Sequence, residues 1–347
     1  MSTRATASES VERRRVCVIS LGGTIASTKV RDAARGVAPQ LDAHELVASV
    51  SAWGEAAELE AVAFRQVPSG DLTWDDLTDL AAEIERRIDA GAYGVVVTQG
   101  TDTLDETSFA LDLLVRRAAP VVVTGAMRNP TMAGADGPAN LLAAVRVAAS
   151  SHARGLGTVV VMNDEIHAAR FVRKTHTTSL GAFRSPTVGP LGWVSEGRVR
   201  VVYHLAPLPD VTSGATRTMP PVALLTSVLG EDARLLGQIE PLGYAGLVIE
   251  TFGAGHVSSV VMATLADVAA RLPVVFASRT GSGEVLGDTY AFAGSERDLL
   301  ARGLISAGFL DGPKARVLLS VLLRVDGSLE RVRSAFVQVN ATASLPD

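Results

Sequence analysis

Cysteine is nearly absent from this sequence. One residue in 347, Cys17, cannot form an intrachain disulfide, and its place inside the apolar run Val16 to Ile19 points to a buried, inert thiol. No stretch of about 18 consecutive apolar residues occurs, so no membrane span is expected. A surplus of positive charge is missing as well. Lys and Arg total 32 against 37 Asp and Glu, for a net charge of -5, which offers no broad attraction for phosphate backbones or anionic lipid. Nucleic acid and membrane are therefore not expected as partners. The opening MSTRATASESVERRR contains no apolar core of signal-peptide length. Residues 1–15 read as a disordered tail, and the protein as cytoplasmic. Neither a repeat of solenoid length nor a low-complexity tract is present.

What remains has the balance of a soluble globular protein, 47% hydrophobic and 20% charged, and a length comfortable for two domains. Short runs rich in Val and Ile recur at Val16 to Ile19, Tyr93 to Val97, Val121 to Val123 and Thr158 to Met162, a pattern that suits strands covered on both faces. Between them, WDDLTDLAAEIERRI puts Leu77, Leu80, Ala81, Ile84 and Ile88 on one helical stripe, with Thr73 or Asp71 placed to cap it and Gly91 to end it. The alternation of strand and helix predicts a mostly parallel sheet built by right-handed crossovers. A further strand-like stretch at Arg198 to His204 runs into PLPDVTSGATRTMPP, residues 207–221, which reads as a linker. The alternation restarts at Val222 to Leu225, Gly246 to Ile249 and Pro273 to Ala277, with a helix over Lys314 to Leu323. The expected fold is α/β: a larger N-terminal, mostly parallel sheet domain with flanking helices over residues 16–206, then that linker, then a smaller C-terminal α/β domain over residues 222–347.

Two strand ends share an unusual composition. The first strand runs into LGGTIAS and ends at Thr24; the second runs into TQGTDT and ends at Thr101 and Asp102. In a parallel sheet both ends lie on one edge, so two hydroxyls and a carboxylate converge there. The adjacent glycines Gly22 and Gly23 do not fit the G-x-G-x-x-G dinucleotide fingerprint; Phe252 to Ser258 (FGAGHVS) fits it better, and reads equally well as a structural turn. Threonine is a poor nucleophile until a base takes its proton. The six histidines form no compelling triad or metal spacing. Lysine is the other choice of base, and only Lys29, Lys174 and Lys314 are present. Lys174, in FVRKTHTT, is either a solvated surface residue or a buried lysine paired among hydroxyls, and a desolvated lysine can serve as a base.

The motifs LGGTIAS and VVTQGTDTLDETSFALDLL, followed by VVVTGAMRNPTMAGADGPANL, VMNDEIHAARFVRKTHTT and GPLGW, together resemble those of the bacterial L-asparaginases over most of residues 16 to 337. The resemblance implies an amidohydrolase that converts L-asparagine to L-aspartate and ammonia. It implies that Thr24 attacks the side-chain amide and forms an acyl-enzyme, beside a triad of Thr101, Asp102 and Lys174, with the Thr101 backbone N–H as oxyanion donor. Ser69 matches the serine that holds the substrate's α-carboxylate, and Asp102 also accepts from its ammonium group. Four features depart from the family, among them Gly253-Ala-Gly-His, which replaces an asparagine-containing turn. TKVRDAARGVAPQ, where the family has a lid bearing a tyrosine, contains no aromatic residue. Gly70 stands where many members place a side chain facing the substrate's amine, and Tyr290 aligns with an acidic residue that one branch sends across a dimer interface. No metal or organic cofactor is implied, and a homodimer or homotetramer is. The alternatives are an amidase of other preference, for L-glutamine or another amide including an ammonia-donating transamidation subunit, and a non-catalytic nucleotide-binding or regulatory protein.

Overall fold

Continuous Val and Ile runs form strands when both faces are covered, and β1 (Arg15–Ser20) is buried along nearly its whole length. The structure, a computed structural model, describes residues 13–29, 37–39, 43–51, 57–214, 219–325 and 327–342. Residues 1–12 of the expected tail, 215–218 of the expected linker and most of the lid segment, 30–36 and 40, lie outside the described residues. After β1 come the short antiparallel pair β2 (Ser27–Lys29) and β3 (Val37–Pro39), helix α1 (Ala43–Ser51), β4 (Glu58–Ala63), α2 (Trp74–Asp89), β5 (Gly94–Thr98), α3 (Leu104–Leu114), β6 (Val121–Thr124), α4 (Gly137–Ala148) and β7 (Thr158–Met162). Five short strands complete this half: β8 (Glu165–Ala168), β9 (Arg173–Lys174), β10 (Phe183–Arg184), β11 (Gly192–Ser195) and β12 (Arg198–Val201).

The large sheet has the order β12-β11-β8-β7-β6-β5-β1-β4. Its strands β4, β1, β5, β6 and β7 are parallel, and β8, β11 and β12 are added antiparallel. The expected mostly parallel sheet is what forms. Alternate residues of β1 and β5 face opposite layers: Val16, Val18 and Val96 pack with α1 and α4, whereas Cys17, Ile19, Val95 and Val97 pack with α2 and α3. Cys17 is held in the second layer with its thiol pushed up to about 12 by burial and by Glu60, so it is inert as expected. The stripe read on α2 is the buried one, and Thr73 is its cap, accepting from the Asp76 N–H while Asp76 reaches back to the Thr73 N–H. From β1 the chain passes first to β4 on one side and then to β5 on the other. The direction of winding therefore reverses between β1 and β5, the position at which open α/β sheets bind ligands.

The second half forms a smaller parallel sheet, β13 (Val222–Thr226), β14 (Gly246–Thr251), β15 (Val274–Ser278) and β16 (Ile305–Ser306), with helices α5 (Met262–Ala269), α6 (Glu296–Ala301), α7 (Gly312–Val325) and α8 (Leu329–Ala341). Its inner layer is shared with the first half. Leu77, Phe109, Ala110 and Leu113 of α2 and α3 pack in one core with Val317, Leu318, Leu322 and Phe336 of α7 and α8. The Pro-rich stretch after Ala206 is a strap rather than a free tether, because Leu208 and Val211 are buried in that same core. Polar anchors reinforce it: Arg170 Nη1 donates to the Ala206 carbonyl at 2.9 Å and to Thr342 Oγ1 at 2.8 Å, beside Asp112, which accepts the Thr158 N–H at 2.7 Å. Burial raises the Asp112 carboxyl despite the Arg170 charge. Among the described residues, no helix is long and apolar enough to cross a membrane.

Phe109, fully buried in the shared layer, tests how tightly the halves are joined. Phe109→Ala is expected to lower the unfolding free energy by about 3 to 5 kcal/mol, the usual cost of a large aromatic lost from a packed core, measured by chemical denaturation. A loss below about 1 kcal/mol would show a loose seam between α3 and α7.

Candidate active site

The carboxyl ends of β1 and β5 meet backbone to backbone. Ser20 is paired in register with Thr98, and the Leu21 N–H donates to the Thr98 carbonyl at 2.9 Å. Beyond that point Gly23 turns with φ of +85°, and a Cβ placed there would lie 2.0 Å from the Gly100 nitrogen. A Cβ at Gly100 would in turn lie 2.9 Å from Ser69 Oγ. Only glycine permits this approach. Three loops, 21–24, 66–71 and 99–103, are thereby stacked into one edge, tied by the Val67 N–H to the Leu21 carbonyl at 3.1 Å and by Thr103 Oγ1 to the Ser69 carbonyl at 2.9 Å.

This edge collects most of the residues anticipated from sequence. Thr24 opens a short 3-10 turn over Thr24–Ala26, half-buried, and its hydroxyl has no hydrogen-bond partner among the described residues. Thr101 opens the turn that leads into α3, where the first amides of a helix lack intrahelical acceptors. Lys174, on β9, reaches this turn from the side: its Nζ donates to Thr101 Oγ1 at 2.9 Å and to Asp102 Oδ1 at 2.6 Å. Lys174 is the paired lysine rather than the solvated one, its side chain 18% exposed against 81% for Asp102. Ser69 is 4% exposed, and its Oγ is one of the buried polar atoms with no partner. Gly70 faces open space, with nothing within 4 Å of where a Cβ would be.

Tyr290 is not brought to this edge. It belongs to the loop between β15 and α6, where it packs edge-on against His256 at 4.8 Å and tilted against Phe292 at 6.0 Å. Its N–H and that of Thr289 donate to the fully buried Glu296 at 2.6 and 2.8 Å, and Glu296 lies 3.3 Å from His256 Nε2, off hydrogen-bond alignment. The FGAGHVS stretch proves to be a self-closed turn. Phe252 and His256 exchange backbone hydrogen bonds, and a Cβ at Gly255 would lie 3.2 Å from the Phe276 ring, whereas Gly253 faces open space. Among the described residues no cluster of three or more His, Cys, Asp and Glu could hold a metal ion.

Two residues of the site carried no separate signal in the sequence. Asp105 accepts the Lys174 N–H at 3.1 Å, and the fully buried Gln99 donates from Nε2 to the Gly100 carbonyl at 3.2 Å, leaving its Oε1 unpartnered. Both lie inside the TQGTDTLDE motif. There they read as loop and helix residues, since only the fold reveals that β9 passes over the start of α3.

Comparison with known proteins agrees with this geometry. Residues 15–207 match the family described as Asparaginase, N-terminal, and residues 221–336 match Glutaminase/Asparaginase C-terminal domain. The chain is 36% identical over 312 residues to an L-asparaginase of Bacillus licheniformis, covering 89% of this chain and 95% of that one. It is 31% identical over 335 residues to L-asparaginase 2 of Escherichia coli K12, covering 93% and 92%. Among solved structures, that of a probable cytoplasmic L-asparaginase from Campylobacter jejuni superposes with a TM-score of 0.83 at 31% identity, over 94% of this chain and 100% of that one.

The glycine contact predicts an unequal pair of variants. Gly23→Ala, which must push the two strand ends apart and accept a positive φ, is expected to cost about 2 kcal/mol or more, whereas Gly70→Ala, in open space, should stay within about 0.5 kcal/mol. Parallel denaturation curves compare the two; equal stabilities would show that the approach of Gly23 to Gly100 is not needed.

Proposed function

The chain belongs to the asparaginase family, and from that premise we propose that it hydrolyses L-asparagine to L-aspartate and ammonia through a threonine acyl-enzyme. The observation that carries the reading is Lys174 Nζ held between Thr101 Oγ1 and Asp102 Oδ1, at an edge shared with Thr24 and with the buried Ser69 hydroxyl, which has no partner among the described residues. In the proposed reaction Thr24 passes its hydroxyl proton toward the Thr101 hydroxyl and Lys174 as Oγ bonds to the side-chain amide carbon, and the carbonyl oxygen takes the negative charge, met by the Thr101 N–H. The C–N bond then breaks, and ammonia leaves with a proton delivered through the Thr101 hydroxyl and Lys174. Water attacks the resulting ester, the C–O bond to Thr24 breaks, and a proton of that water passes to Thr24 Oγ. A preorganised lysine, threonine and aspartate suit such proton traffic, because each partner is already oriented by a short hydrogen bond.

Ser69 Oγ would donate to the α-carboxylate, and Asp102, the exposed end of the cluster, would accept from the ammonium group. Gly70 supplies no contact there. Tyr290, whose ring and hydrogen-bond partners among the described residues lie in the second domain, would reach a substrate from another copy of the chain, in a homodimer or homotetramer. The domains we assign are catalytic, residues 16–206, and C-terminal, 222–347, joined at 207–221. The proposed reaction needs no metal or organic cofactor, and the proposed location is the cytoplasm. A second reading has its own observation: the lysine touches Thr101 rather than Thr24, which would suit Thr101 as the attacking hydroxyl.

Lys174→Met keeps most of the side-chain volume and removes the donor, and should lower ammonia release from L-asparagine by roughly 10² to 10⁴-fold. Thr24→Ala should abolish turnover with an unchanged circular dichroism spectrum. Either variant retaining near wild-type rates would retire the role given to that residue.

A further inference from the structure

Lys314 is one of only three lysines in the chain, and it lies outside the catalytic edge. It stands in the first turn of α7, in the second domain, and at 1% exposure it is among the largest fully buried side chains. A buried amino group is costly unless it is paired and hydrogen-bonded. Lys314 Nζ donates to the Val172 carbonyl at 2.5 Å and sits 3.3 Å from Asp311 Oδ2. Asp311 does two further things: its Oδ1 accepts the Lys314 N–H at 2.9 Å, capping α7, and its Oδ2 faces Arg173 Nε at 3.3 Å.

Val172 and Arg173 are the residues immediately before Lys174. The strand bearing Lys174 is two residues long and pairs only with Phe183 and Arg184, too little ladder to hold a register unaided. The Lys174 N–H is held from the other side by Asp105, in the first turn of α3. Three successive residues are thus gripped between the start of α3 and the start of α7, helices that also share the apolar core around Phe109 and Leu318.

We propose that Lys314 and Asp311 are positioning residues for Lys174. Through them the second domain fixes the backbone at Val172 and Arg173, so that the Lys174 amine falls between Thr101 and Asp102. This inference rests on the reading of Lys174 as a working member of an amidohydrolase site. A buried lysine is a poor device for stability alone, since an apolar side chain of similar volume often serves as well. Met or Leu in its place would fill the space but would donate neither to the Val172 carbonyl nor to Asp311.

Two variants test the proposal. Lys314→Met keeps volume and removes the donor. Asp311→Asn keeps a good helix cap but removes the charge that faces Arg173 and Lys314. Each is measured by steady-state ammonia release and by NMR of isotope-labelled lysine side chains, where three lysines give few signals and that of Lys174 is identified by its loss in Lys174→Met. In the folded variants kcat should fall by roughly 10- to 100-fold, as expected when a reacting group is misplaced. KM should stay within about threefold, because the substrate contacts are untouched. The Lys174 signal should move while that of Lys29 does not. A folded variant with kcat within about twofold of wild type, or with the Lys174 signal in place, overturns the proposal. Should Lys314→Met fail to fold, Asp311→Asn decides alone. A wild type that releases no ammonia from L-asparagine would defeat the amidohydrolase reading itself, and the Lys174 signal in the two variants would still decide the positioning.

Discussion

Two neighbouring strands that end with no room for a side chain between them set up everything else at this site. Parallel strands run about 4.8 Å apart, and side chains normally keep the loops beyond them separate. Here Gly23 and Gly100 remove that separation, so Thr24 and Thr101 emerge on the same edge, at the point where the winding of the sheet reverses. The same contact pushes the 66–71 loop against Gly100 and buries Ser69. The chemistry is thus a consequence of backbone geometry, and the hydroxyls are arranged before any ligand arrives.

Polar groups at the edge are unevenly satisfied, and the unevenness is informative. Lys174, Thr101 and Asp102 satisfy one another with charge-assisted bonds. Ser69 Oγ is buried without a partner, a state that costs about 1 to 3 kcal/mol for a typical polar group. A ligand carboxylate there would recover that cost, so the orphaned hydroxyl suits the role of carboxylate holder. Helix α3 connects this arrangement to the rest of the molecule. It begins at the turn bearing Thr101 and Asp102, carries Asp105 beneath β9, and buries Phe109 in the core shared with α7. The second domain is therefore continuous with the site's foundations.

Much of this was legible in residues. The Val-rich runs before Ser20 and Thr98 have the composition of doubly covered strands, the spacing of Leu77, Leu80, Ala81 and Ile84 specifies a helix, and LGGTIAS with TQGTDT marks two of the three loops of the edge. Less legible were β4 and the short strands β8 to β11 and β16. A strand of two to four residues is too short to show periodicity, and Arg173–Lys174 exists as a strand only because Phe183–Arg184 returns beside it. The contacts of Asp105, Asp311 and Lys314 with residues 172–174 were not legible for a related reason. Their partners are 69 residues away for Asp105 and 142 for Lys314, distances that no local pattern encodes. Tyr290 was assigned by alignment, and its neighbours within one chain are those of the second domain.

The central claim is that Thr24 carries the acyl group. The most direct measurement is peptide mass analysis of enzyme quenched in acid during turnover of saturating L-asparagine and then cleaved after Arg and Lys, which separates residues 16–29, with Thr24, from residues 88–116, with Thr101. The predicted result is an aspartyl ester on residues 16–29. The same adduct on residues 88–116 would contradict it and give the attacking role to Thr101.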